Sequence, residues 1–459
     1  MVESVIFHDI LWGLAAALMG GIMFSFVGLI SGTSETASIA PVTLLVVLLG
    51  FPPVAVFCFL IAAVIAKHIT HSVPTALLGV PGDTMAVPLL EHATAMRNIG
   101  APHISLQKMI SGGVLAAFLS VPISVGFASL LAPYADIVKS WAGLLFTVMA
   151  VFIAYTSKGK WTSVVILIPL SFLFVGLNKI AVAANGSGVT MCFFLGIATG
   201  PMFLDLITVM SPAAKATLVT KTPREFRLAP DLKNWNGFFP NPLKILTMKQ
   251  KWYTLLICLA SAPLFTFSTV GITVTTGEII SSRVKGFYER LTTCLAVMNA
   301  STESTYLAEI LIPLIAFGLP MTPISMGVAF PLFNAPPIFT IKPEMHNLHT
   351  IMTTSEFLWY GLLSVAVAAF ISYPLTMNYA HRASVWIMKH VSQESIIAMF
   401  AGLVVVASCY EAGFVGLAIT VTVAVVGGCL NKFFGVNMGV QFMAIYASTW
   451  IMAKLFGLN

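Results

Sequence analysis

The sequence predicts an all-α polytopic membrane protein with about 10–13 membrane elements, each long enough to cross or enter the bilayer. Hydrophobic residues make up 58% of the 459 residues and charged residues only 9%, whereas about a quarter of a soluble domain is charged. The apolar runs are about 17–25 residues long without alternation, which is typical of spanning helices rather than of an outer-membrane barrel. This composition excludes a soluble globular fold and a nucleic-acid-binding domain.

The expected spans are placed by the apolar runs, and the first is expected to be a retained span because no basic segment precedes it. The regular runs are 10–30, 54–70, 104–132, 141–156, 161–177, 252–272, 357–380, 395–410, 412–430 and 436–456. Runs interrupted by Pro, Gly or polar residues lie at 36–50, 190–210 and 305–319. Some of these elements are expected to be half-spans or re-entrant hairpins.

One polar segment divides the chain into a first transmembrane repeat (1–210), a basic linker (211–251) and a second transmembrane repeat (252–459). The linker contains eight Lys and Arg residues against two acids. The positive-inside rule therefore places it in the cytoplasm. Binding of nucleic acid or anionic lipid is an alternative role, although topology alone explains the charge.

Two similar segments indicate an internal repeat. "VPTALLGVP" at 73–81 and "IPLIAFGLP" at 312–320 share three identities at one offset of 239 residues: Pro74 with Pro313, Gly79 with Gly318, and Pro81 with Pro320. If each half has an odd number of spans, the two copies have opposite topology. Such inverted repeats with Pro/Gly-broken helices or hairpins are typical of secondary transporters, whose substrate sites lie near the midplane between the repeats.

The breaks predict a site for a carboxylate substrate. A broken helix frees backbone N–H groups and directs the positive end of its dipole at the gap. Hydroxyl-rich stretches precede both breaks at 31–38 and 297–305, with plain extramembrane turns as the alternative interpretation. The candidate substrate-binding residues are Ser34, Gly79, Pro81, Gly82, Thr84, Asn299, Ser301, Thr302, Gly318, Pro320 and Thr322.

Three carboxylates are candidates for cation coupling, because acids inside a membrane segment are costly and usually functional. They are Glu35, Asp83 and Glu303, acting as cation ligands or proton carriers, with Na⁺ or H⁺ as the coupling ion and no other cofactor. Glu278 is expected to be structural. The segment "KHITH" (67–71) is expected to be an interfacial basic cluster, with metal binding by its two histidines as the alternative.

The chain resembles the large membrane subunit of tripartite tricarboxylate transporters. The resemblance rests on "GVPG" at 79–82, "RNIG" at 97–100, the stretch 299–304 and "GLPM" at 318–321, where Met321 replaces a glycine of the family pattern. It implies import of organic acids such as citrate across the bacterial inner membrane, driven by an ion gradient. It also implies two partners, a small four-span membrane subunit and an extracytoplasmic solute-binding protein.

Two other function classes stay open at this point. A membrane-embedded enzyme or scaffold would use the His and Glu side chains, but the sequence contains no nucleophile, nucleotide-binding or zinc-protease motif. A passive channel would conduct without coupling. The sequence favours an ion-gradient-driven permease over both.

Overall fold

A computed structural model of the chain describes residues 2–157, 159–186, 188–189, 191–210, 235, 237–333, 347–391 and 393–457. Within these ranges the secondary structure is helical and includes no β-strand. The same ranges contain six helices long and apolar enough to cross a membrane, together with three shorter apolar helices. The predicted all-α polytopic membrane fold is confirmed.

The helices are numbered here in chain order. Those before the linker are α1 (Val2–Gly28), α2 (Glu35–Leu48), α3 (Pro53–Val73), α4 (Leu90–Asn98), α5 (Pro102–Leu131), α6 (Ala135–Ser140), α7 (Ala142–Thr156), α8 (Trp161–Asn185) and α9 (Met191–Met210). Those that follow are α10 (Pro242–Ile245), α11 (Met248–Ser261), α12 (Thr269–Arg283), α13 (Phe287–Ile312), α14 (Pro323–Gly327), α15 (Phe330–Phe333), α16 (Leu348–Ile351), α17 (Thr354–His390), α18 (Gln393–Phe434) and α19 (Met438–Phe456).

One expected span differs from the helices of the structure. The span expected at 252–272 is divided, because α11 ends at Ser261 and a turn containing Pro263 leads into α12. Proline has no N–H for the helical ladder, so it favours a break here. The two runs expected at 395–410 and 412–430 are both helical, and they meet within α18 at a kink where Ala412 and Gly413 have non-helical backbone.

Side-chain caps mark several helix starts. Thr247 and Gln250 form a reciprocal capping box at α11, and Thr353 and Glu356 form another at α17. Each box satisfies backbone N–H groups that have no partner within the helix. These polar residues therefore define where the chain enters its apolar runs.

The helices pack into two groups, each around its own apolar core. The first core joins residues of α1, α3, α5, α13 and α17, and the second joins residues of α7, α8, α9, α18 and α19. Helix α2 lies between them, since Ile39 belongs to the first core and Ala40 to the second. Helix α14 also lies between them, since Ile324 belongs to the first core and Met326 to the second. Both halves of the chain thus contribute one short helix to the boundary between the two groups.

The basic linker lies largely outside the described residues, which omit 211–234 and 236. Its described end contains α10 and the start of α11. The cytoplasmic location of the linker, the division of the chain into two repeats and their opposite topology stay predictions.

Candidate functional site

Each half of the chain contains a long helix that ends in a broken segment. Helix α3 continues into a π-helical turn at Pro74–Leu78 and stops at Gly79, whose φ is +70°. Helix α13 continues into the same kind of turn at Pro313–Phe317 and stops at Gly318, whose φ is +63°. Because proline lacks an N–H and glycine tolerates a positive φ, the shared pattern produces the same local structure twice. The two predicted breaks are confirmed.

The side chains just after the breaks accept hydrogen bonds from the backbone that follows them. Asp83 Oδ1 accepts hydrogen bonds from the N–H groups of Met85 and Ala86 at 3.0 and 3.1 Å. At the equivalent position, Thr322 Oγ1 accepts from the N–H of Ser325 at 3.0 Å. These amides are satisfied by the protein itself, so a carboxylate could bind them only by displacing the Asp83 or Thr322 side chain.

The polar stretch after α1 packs directly against the first break. The Ser31 hydroxyl donates to the Pro81 carbonyl at 2.7 Å, and the N–H of Gly32 donates to the Gly82 carbonyl at 2.8 Å. The Ser34 hydroxyl then caps the first turn of α2. These contacts hold the polar stretch and the first break together.

A histidine bridges two of the three candidate acids. His68 Nε2 lies 2.7 Å from Glu35 Oε1, and His68 Nδ1 lies 2.8 Å from Glu303 Oε2. All three side chains are at least 96% buried. The ring of Tyr306 packs edge-on against His68, with the centroids 4.6 Å apart. Glu35 begins α2 and Glu303 lies in α13, so His68 connects residues from both halves of the chain.

The third candidate acid is part of a buried ion pair. Lys67 Nζ lies 3.1 Å from Asp83 Oδ2 and 4.0 Å from Glu35 Oε1, and it donates to the Thr33 carbonyl at 2.9 Å. His71 Nδ1 bonds to the same Asp83 oxygen at 2.7 Å. The negative charge of Asp83 is therefore balanced by the buried Lys67 ammonium.

The expectation that 67–71 forms an interfacial cluster is wrong. Lys67, His68 and His71 are at most 2% exposed, because neighbouring helices surround α3 and supply acidic partners. One ligand atom each from Glu35, His71 and Asp83 lies within 4.8 Å of the others, an arrangement that could hold a metal ion. The Lys67 ammonium already supplies the positive charge there, so we assign no metal site.

Side chains occupy the space beside Gly79 and Gly318, the glycines at the two breaks. A Cβ atom at Gly79 would lie 2.6 Å from the Arg97 guanidinium, which donates to the carbonyl just before Gly79. A Cβ atom at Gly318 would lie 2.7 Å from the His349 ring, while Asn347 donates to the Gly318 carbonyl at 2.8 Å. The sequence had given no such role to Arg97, Asn347 or His349, and the shared glycine pattern alone could not identify these distant partners.

Gly82 lies close to the backbone of α3, and the other residues near the breaks differ in exposure. A Cβ atom at Gly82 would lie 2.3 Å from the His71 carbonyl, and the Gly82 N–H donates to the Thr75 hydroxyl at 3.1 Å. Thr84 is exposed and Pro320 is buried. Gly82 is thus required by a close backbone approach.

The hydroxyl-rich stretch 297–305 lies in the interior of α13, so its alternative interpretation as an extramembrane turn is wrong. Its side chains bond to neighbouring helices: Asn299 to the Met109 carbonyl of α5, and Ser301 and Thr302 to Thr276 and Thr273 of α12. These candidates therefore join helices. Among the site candidates of this stretch, Glu303 is the one that bonds to His68.

The fold and the buried polar site together define a multi-pass α-helical membrane protein with two matched helix breaks. Residues 14–438 match the family described as "Tripartite tricarboxylate transporter TctA family". The chain belongs to this family, as the resemblance of its motifs predicted. No curated protein and no solved structure matches the chain.

Proposed function

We propose that the protein is the membrane permease subunit of a secondary transporter that takes up organic carboxylates, such as tricarboxylates and dicarboxylates, using an ion gradient. Membership in a family of tripartite tricarboxylate transporters supports transport over catalysis. The observation that carries the proposal is the pair of matched breaks at Gly79 and Gly318, because broken helices in corresponding positions are the hallmark of transporter sites.

The substrate would bind near the two breaks. The substrate-binding candidates there are Ser34, Gly79, Pro81, Gly82, Thr84, Gly318, Pro320 and Thr322, while Asn299, Ser301 and Thr302 would act from α13. Arg97 supports this location, since its guanidinium lies beside Gly79 and guanidinium groups suit carboxylates.

Alternating access would follow from movement of one helix group against the other. Helix α2 follows the polar stretch bonded to the first break, and α14 follows the second break, and both helices lie between the two packed cores. A shift of the two groups would therefore change the surroundings of both breaks together. The coupling cation, Na⁺ or H⁺, would act through Glu35, Asp83 and Glu303.

The family also supports the proposed partners and location. A tripartite transporter has two further components, which we propose are a small four-span membrane subunit and an extracytoplasmic solute-binding protein. The location would be the bacterial inner membrane. The alternative functions are a passive channel and a membrane-embedded enzyme or scaffold.

Substitution of the two break glycines tests the proposal. Gly79→Ala and Gly318→Ala each place a Cβ on positive-φ backbone, which costs about 1–2 kcal/mol, and each pushes on Arg97 or His349. We expect gradient-driven citrate uptake to fall at least about tenfold, the effect of about 1.4 kcal/mol at the site, with normal amounts of protein in the membrane.

Gly50→Ala is the matched control. Gly50 has a similar φ of +78°, but no atom lies within 4 Å of its Cβ position. It carries the backbone strain without crowding either break, so uptake should persist. Undiminished uptake in the two break variants would contradict the site, and citrate flux that ignores every ion gradient would favour a channel.

A further inference from the structure

The bonding of His68 determines how many protons its site holds. A neutral imidazole carries one N–H and one bare nitrogen, whereas a carboxylate can only accept. Both ring nitrogens of His68 lie within 2.8 Å of a carboxyl oxygen, so each contact requires a proton. The group of Glu35, His68 and Glu303, called the triad below, therefore holds two protons at the two contacts, either as an imidazolium between two carboxylates or as a neutral ring with one carboxylic acid.

The surroundings of the triad make an ionised carboxylate costly. With an imidazolium the triad has a net charge of −1, and Lys67 and Asp83 beside it cancel each other. Glu303 Oε1 is buried without a hydrogen-bond partner among the described residues, which is costly for an ionised carboxylate. The titratable groups around the triad are Lys67 and His71 on α3, Asp83 after the first break, Tyr306 and Glu309 on α13, and Cys258 on α11.

Loss of one proton would break one of the two contacts. A neutral ring has a single N–H. The lone pair of its other nitrogen would then face a carboxylate oxygen and be repelled by it. His68 would then keep one glutamate and release the other. Because Glu35 begins α2 at the boundary between the helix groups and Glu303 lies within α13, protonation controls a link between the two halves.

We infer that Glu35, His68 and Glu303 form the proton-carrying site of the transporter, so that H⁺ is the coupling ion. The structure is the loaded state, and release of a proton from a ring N–H to water frees His68 from one of the two glutamates. This inference rests on the proposed transport function. It also gives His68 a role in proton binding, whereas the sequence predicted only an interfacial basic cluster at 67–71.

The test uses sealed membrane vesicles that contain the whole transporter, which is this chain together with its proposed partner components. The buffer is sodium-free and the membrane potential is held at zero. The probe is radiolabelled citrate. An inward pH gradient of one unit should drive about tenfold accumulation for each proton coupled. We expect Glu303→Gln, which keeps the shape of the acid but cannot exchange its proton, to lower the accumulation ratio to about one.

Citrate exchange at equal pH on both sides needs no net proton movement, so it should persist at a measurable rate in Glu303→Gln. Glu278→Gln is the matched control, since Glu278 is an exposed acid of α12, and it should keep full accumulation. A further measurement needs no variant: citrate added to lightly buffered vesicles of the wild-type protein should make the outside medium more alkaline.

The outcomes separate the two proposals. Wild-type accumulation that follows a Na⁺ gradient but not a pH gradient would overturn the proton site and leave the transport function standing. Equal accumulation by Glu303→Gln and the wild-type protein would also overturn the proton site. Absence of citrate exchange in the wild-type protein would overturn the proposed function itself.

Discussion

The buried pair of Lys67 and Asp83 should show strong energetic coupling. Their charged atoms are 3.1 Å apart and their side chains are at most 1% exposed. Coulomb's law with an effective dielectric constant of about 20 gives an attraction of about 5 kcal/mol at this distance. Burial has a desolvation cost that offsets much of this attraction, but removal of one partner leaves the other charge buried without this counter-charge.

We therefore expect Lys67→Met and Asp83→Asn each to lower the stability by about 3–5 kcal/mol. The double variant should be more stable than the sum of the two effects predicts, by about 2–3 kcal/mol, because it removes both charges. The measurement is the apparent free energy of unfolding in detergent with increasing SDS. Since Asp83 also caps two amides, Asn at this position keeps one oxygen as an acceptor.

The chain contains a matched control for this experiment. Lys249 and Glu289 lie 3.0 Å apart, nearly the same distance, but their side chains are 72% and 49% exposed. Exposed pairs contribute about 0–1 kcal/mol, so Lys249→Met and Glu289→Gln should show little coupling. Additive effects of Lys67→Met and Asp83→Asn, or equal coupling at the two pairs, would refute the reasoning.

Three further substitutions test the helix packing. Gly28→Ala should destabilise the protein in the same SDS assay by about 1–3 kcal/mol, because its Cβ would lie 2.1 Å from the Thr70 hydroxyl. Gly126→Ala is the control: its Cβ enters open space in a helix, so it should stabilise the protein by about 0.5–1 kcal/mol. Equal effects of the two substitutions would contradict the packing of α1 on α3. Asn299→Ala leaves the Met109 carbonyl without its side-chain donor and should cost about 1–3 kcal/mol, and an unchanged stability would show that this contact is unimportant.

The sequence predicted the membrane fold and the helix breaks because both depend on local chemistry. Long apolar runs have one stable form in lipid, and the Pro and Gly residues at the breaks act on the backbone within a few positions. The pattern around Gly79 and Gly318 therefore predicted the same structure twice. The backbone contacts of Asp83 and Thr322 could not be predicted, because they depend on how the chain turns after each break.

The buried polar site could not be predicted in the same way. His68 is bonded to Glu35 and Glu303, which are 33 and 235 residues away in sequence. The local sequence shows only a basic segment, and such segments are usually interfacial. One signal was available: Lys67 and His68 are basic residues within the predicted span 54–70, where a charge requires a buried partner, and Glu35 and Glu303 lie next to predicted apolar runs.

The close approach at Gly82 limits which parts of the protein can move independently. Its α-carbon rests against the His71 carbonyl with no room for a methyl group, while its own carbonyl is bonded to Gly32. These contacts join the end of α3, the first break and the loop before α2 into one unit. In the proposed transport cycle a hinge would therefore lie outside this unit, and the non-helical backbone at Ala412 and Gly413 in α18 is one candidate position for it.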